Sequence, residues 1–163
     1  MSITFNAFEI FEMAEQIERN GVKFYRKAAK GIFDKDTRQM LLDLAAMEAE
    51  HEETFAGMRK QLSDEERELR VFDPDNEIVL YLQAMADGHV FDLKKDPSSE
   101  LTGTESVEDI LKLAIEAEKD SIVFYLGLKD FVPVRAGKDK VEAIIKEEMG
   151  HIVVLSRKMA ASK

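Results

Sequence analysis

Apolar residues recur along this chain in alternating steps of three and four, the spacing of a helix with one buried face. The first stripe runs Phe11, Ala14, position 18, Gly21, Tyr25, Ala28, and the second Leu41, Leu44, position 48, position 51, Phe55, Met58, Leu62. After a less regular middle come Leu111, Ala114, position 118, Ser121, Tyr125, Leu128 and then Val141, Ile144, position 148, position 151, Leu155. Each stripe turns one narrow face toward a shared interior, so the pattern predicts an all-α protein built as a four-helix bundle.

The punctuation agrees. Asn6 with Glu9, and Ser106 with Asp109, read as N-caps of the first and third helices. Gly31 falls where the first helix should stop, and Pro133 interrupts the chain between the third and fourth. In the middle, Ser63 followed by Asp64, Glu65 and Glu66 marks a fresh helix start or a kink. Asp73 to Asn76 reads as a turn, Glu77 to Ala86 as a short helix, and Asp96 to Ser99 as loop. The expected organisation is one domain over 1–163: a helical hairpin over about 6–62, a long crossover over 63–105, and a second hairpin over about 106–160.

The two hairpins repeat each other. A shift of 100 residues lays Ala14, Glu18, Phe24 and Tyr25 over Ala114, Glu118, Phe124 and Tyr125, and Glu48 and His51 over Glu148 and His151. The internal repeat predicts an approximate two-fold axis between the halves.

The positions skipped in the stripes are Glu18, Glu48, His51, Glu118, Glu148 and His151. All six fall on the inward seam, where an ionised carboxylate costs several kcal/mol even after relaxation. No Lys or Arg holds a matching seam position. Two divalent cations would bring +4 against four carboxylates at −4, with two neutral imidazoles completing the ligand set. Residues three apart share a helix face, so Glu48 with His51 and Glu148 with His151 can each grip an ion, leaving Glu18 and Glu118 to bridge or cap. A Glu from each of two helices and Glu-x-x-His from each of the other two is the ligand set of dimetal carboxylate bundles. Mixed oxygen and nitrogen ligands suit iron or manganese, with zinc a common occupant.

Neighbouring groups read as ordinary. Glu50, Glu52, Glu53 and Glu147 fall off the seam and are expected to be solvated; His89 has no repeat partner and is expected to pack or sit in a loop. Phe24 and Phe124 are expected to pack. Tyr25 and Tyr125 lie seven residues, ~10 Å, from the seam Glu of their own helix, so each hydroxyl is placed to support a carboxylate arriving from another helix, or simply to fill the core.

Composition narrows the function. The 163 residues include no Cys, which excludes disulfides, a thiol nucleophile and Cys-held iron. The formal charge of −10 disfavours nucleic acid and anionic membrane surfaces as partners. No apolar run approaches the ~20 residues of a spanning helix, and the acidic N-terminal stretch is unlike a signal peptide. A soluble cytoplasmic protein is expected.

The A-x-x-x-E…F-Y helix, the L-A-x-x-E-x-x-H helix and their second copies resemble the rubrerythrin branch of the ferritin-like dimetal proteins, over roughly 5–60 and 106–158. YLQAMADGHVF is similar, less specifically, to the connecting segment of such proteins. The resemblance implies a ferritin-like bundle with metal ligands at Glu18, Glu48, His51, Glu118, Glu148 and His151, and supporting tyrosines at Tyr25 and Tyr125. It implies two metal ions, iron first and zinc or manganese as alternatives, reduction of hydrogen peroxide or oxygen, and a homodimer. Typical relatives carry a Cys-rich rubredoxin domain; without Cys here, the expected electron donor is external. Ser121 stands where they carry a further carboxylate, so the iron shift associated with peroxide turnover lacks its carboxylate ligand. The alternative is an iron-handling or structural metal protein without turnover. An oxygenase acting on an organic substrate, which needs a pocket beside the metals, and a metal-free interaction bundle are further rivals.

Overall fold

The computed structural model describes residues 7–62, 75, 77–86 and 97–162, and every regular element among them is helical. In chain order these are α1 (Ala7–Lys30), α2 (Lys35–Gln61), α3 (Glu77–Ala86), α4 (Val107–Phe131) and α5 (Lys138–Ala161), with 3-10 turns at Pro97–Glu100 and Val134–Ala136. The Asn6 cap, the start or kink at Ser63 to Glu66, the turn at 73–76 apart from Asp75, and His89 lie outside the described residues.

Local chemistry sets the ends. Asp34 caps α2 by accepting from the Thr37 amide at 2.9 Å. Ser106 accepts from the Asp109 amide at 3.1 Å and returns its hydroxyl to the Asp109 carboxylate at 2.8 Å, the cap expected for α4. After Lys30 the Gly31 amide turns back to the Ala28 carbonyl at 3.1 Å, closing α1. Val132 and Pro133 end α4, and the chain re-enters α5 through Gly137 at φ 108. A side chain there would be strained by its backbone and would also meet the Met58 methyl at 3.0 Å.

All four seams are buried along their whole length, from Phe11 to Ala28, Leu41 to Leu62, Leu111 to Leu128 and Val141 to Leu155. Helices of this kind gain most of their stability from such packing, and each large apolar side chain buried contributes about 1.5–3 kcal/mol. Helix α1 packs chiefly on α2, and α4 on α5, giving two hairpins that face each other.

The crossover is anchored at both ends. Helix α3 lies on α4, with Leu82 buried and the Tyr81 hydroxyl donating to the Val123 carbonyl at 2.8 Å. Gly127 permits this approach, because a Cβ there would sit 2.5 Å from the Tyr81 ring. The segment read as loop at 96–99 instead contains the 3-10 turn Pro97–Glu100, packed on α1, where Lys27 donates to the Ser98 carbonyl. Burial of Leu101 just after it explains the added order. Among the described residues no helix is long and apolar enough to cross a membrane.

Candidate metal centre

The six polar seam residues converge in the middle of the bundle. Glu18 comes from α1, Glu48 and His51 from α2, Glu118 from α4, and Glu148 and His151 from α5, and none is more than 3% exposed. One ligand atom each from Glu18, Glu48, His51 and Glu148 lie within 4.8 Å of one another, as do atoms from Glu48, Glu118, Glu148 and His151. Glu48 and Glu148 belong to both groups, while Glu18 and Glu118 belong to one each. Glu48 and Glu148 therefore lie between the two groups, and Glu18 and Glu118 each stand beside one of them.

Both imidazoles turn Nδ1 inward. His51 Nδ1 lies 3.1 Å from Glu148 and 3.5 Å from Glu18. His151 Nδ1 lies 2.9 Å from Glu148, 3.1 Å from Glu48 and 3.4 Å from Glu118. The rings stack across the centre at 5.7 Å and 20°. The tyrosines cross between the halves: Tyr25 on α1 donates to Glu118 on α4, and Tyr125 on α4 donates to Glu18 on α1. Seven residues of offset carry each hydroxyl to the other repeat's carboxylate, as the spacing allowed. Phe24 and Phe124 pack edge-on against them.

Burial and the crowding of like charges shift the titration of most of the cluster. Burial, reinforced by Glu148, Glu118 and Glu18, raises the Glu48 carboxyl well above its ordinary range. Burial with the charges of Glu18 and Glu118 pushes Glu148 up to about 8. Burial opposes protonation of both histidines, yet the close carboxylates of Glu148 and Glu18 push His51 up to about 11, and those of Glu118, Glu148 and Glu48 raise His151 too. Glu118 is lowered despite its burial, through the close approach and charge of His151, its contact with Glu148 and the hydrogen bond from Tyr25. Burial and the facing carboxylates raise both tyrosines, which therefore stay neutral donors.

Several atoms still lack a hydrogen-bond partner among the described residues: Glu18 Oε2, Glu48 Oε1, Glu148 Oε2 and both nitrogens of His151. Buried acceptors without donors are costly, and their convergence fits a pair of cations better than a hydrogen-bonded core. No Lys or Arg among the described residues pairs with the four glutamates; their ion pairs run only to His51 and His151.

Two of the neighbours expected to be solvated also make contacts. Glu52 pairs with Arg19 at 2.7 Å on the surface. Glu147, although half-exposed, places Oε2 2.8 Å from His51 Nε2. One residue of offset from the seam turns it toward α2 instead of fully outward. The signal in the sequence was the carboxylate just before Glu148, which the other copy replaces by Met47.

Fold and site together define a ferritin-like helical bundle with a buried carboxylate–histidine cluster that can bind two metal ions. The chain belongs to the rubrerythrin family, whose model matches residues 9–159. A crystal structure described as a "putative ferritin-like diiron-carboxylate protein" from Thermotoga maritima superposes with a TM-score of 0.71 at 25% identity, covering 98% of this chain and 97% of that one. No curated protein matches the chain.

Proposed function

We propose that this protein is a di-iron oxidoreductase that reduces hydrogen peroxide or oxygen with electrons from a separate donor. The observation that carries this reading is the pair of overlapping four-residue groups sharing Glu48 and Glu148, buried and short of donors. Glu18, Glu48, His51 and Glu148 would hold one ion, and Glu48, Glu118, Glu148 and His151 the other. Bound iron supplies one-electron steps to an oxidant that the side chains present cannot perform. The residues supply the setting. The apolar walls, with Phe24, Phe55 and Phe124 fully buried, exclude bulk water. Tyr25 and Tyr125 fix the orientation of Glu118 and Glu18 and keep a proton at each phenolic oxygen. The sequence holds no Cys to ligate rubredoxin-type iron, so the reductant lies outside these residues.

The test is anaerobic loading with ferrous iron followed by peroxide. A ferric absorption band that appears stoichiometrically and returns to baseline on adding reductant, cycle after cycle, supports the proposal. Iron that oxidises once and accumulates as mineral favours storage instead. Failure to bind two ions overturns the reading.

A further inference from the structure

We infer that Glu147 makes the two metal positions unequal, so that the Glu18–His51 position binds its ion more tightly than the Glu118–His151 position. The inference rests on reading the cluster as a dimetal centre. His51 points Nδ1 at the cluster and Nε2 at Glu147, 2.8 Å away. A carboxylate can only accept, so Nε2 keeps its proton and donates it there, and an ion that displaces the proton from Nδ1 meets a lone pair already aimed at it. Such a partner fixes the ring's tautomer and tilt and makes the ligating nitrogen more basic. His151 is the repeat equivalent, and its Nδ1 faces the cluster in the same way. Its Nε2, however, is buried without a hydrogen-bond partner among the described residues. The repeat places Met47, not a carboxylate, where Glu147 would be needed. The chain thus keeps its two-fold pattern in the ligands and breaks it in what holds the histidines. Glu147 is a positioning residue: it acts through His51.

The experiment titrates metal-free full-length protein with Co(II), followed by visible absorption and calorimetry. Wild type should bind two ions in two resolved steps, their affinities differing by about 10–100-fold, the usual cost of losing such a partner. E147A should weaken the tighter step by that factor and bring the two together, while E147D or E147Q, which retain an acceptor, should recover part of it. M47E should strengthen the weaker step. The metal-free melting temperature of each variant checks that folding is intact, and Glu147, being half-exposed, should tolerate the change. Two indistinguishable steps in wild type, or an E147A effect equal on both, overturns the inference while leaving the dimetal reading in place. No cobalt binding at all overturns both.

Discussion

Glu15 and Glu148 are both withdrawn from water in the same bundle, and the chain treats them in opposite ways. Near one end of the α1–α2 hairpin, Glu15 is met by a cation of the chain's own: Arg59 Nε lies 2.5 Å from one carboxylate oxygen, and a second guanidinium nitrogen donates to the other at 3.0 Å. Arg59 also reaches Glu12 at 3.1 Å and lies 4.6 Å over the Phe8 ring. At the centre, four carboxylates share two histidines and no Lys or Arg among the described residues. Burial of charge is therefore not avoided in this fold; a side chain of the chain completes it in one place, and in the other the proposed ions would.

The comparison is broken most severely by taking the ions away. An ion that binds only the folded state adds about 4 kcal/mol of stability when its free concentration is 1,000 times its Kd. For a chain of this size that corresponds to a melting temperature about 8–16 °C lower after chelation, for each ion lost. Calorimetry of loaded and chelated protein checks it, and equal melting temperatures would show that the cluster needs no cation.

Removing Arg59 attacks the other side of the comparison. R59M strands Glu15, and with Arg59 partly exposed the cost should be about 1–3 kcal/mol, below the 3–5 of a fully buried pair. The double variant R59M/E15L should return close to wild type in denaturant unfolding, because the uncompensated charge leaves with it. Both variants should bind two ions as wild type does, since the pair does not touch the cluster.

A smaller perturbation separates room at the centre from room elsewhere. A Cβ on Gly21 would lie 2.7 Å from Glu48 Oε2, whereas one on Gly57 would meet nothing within 4 Å. G57A should therefore stabilise α2 by about 0.5–1 kcal/mol with metal affinity unchanged. G21A should fold but displace the shared Glu48 and weaken binding about 10-fold in the same cobalt titration. A G21A protein with wild-type affinity would mean that Glu48 is not held where the seam places it.

Much of this was legible in the sequence because helical period and burial are the same information: every residue of the four stripes is inside, and the six polar intruders meet. The tyrosine link was legible as a distance along a helix, and only the structure shows that it crosses from one repeat to the other. Arg59 was not legible, and Glu147 only as a carboxylate that the other repeat lacks, since each lies off its own seam and acquires its role from the side chain that a neighbouring helix presents. The Gly137 turn and the Pro97–Glu100 turn were hidden for a related reason: both are shaped by what they pack on, Met58 in one case and α1 in the other.

A third carboxylate extends the comparison to the surface, with the smallest effect. Glu105 precedes α4 and is satisfied neither by a side-chain cation nor by a cluster. It accepts from the Thr102 amide at 2.5 Å, the Thr102 hydroxyl at 2.8 Å and the Gly103 amide at 3.0 Å. The Thr102 amide first, then its hydroxyl, hold the carboxyl down to about 2. A depressed carboxyl stabilises the fold above its ordinary range near 4.5, and that contribution is lost as pH falls toward 2. E105Q should therefore lower the melting temperature slightly at pH 6, and the gap from wild type should close as the pH is lowered from 4.5 toward 2. An NMR titration of Glu105 with a midpoint in the ordinary carboxylate range would mean that backbone amides do not hold this charge.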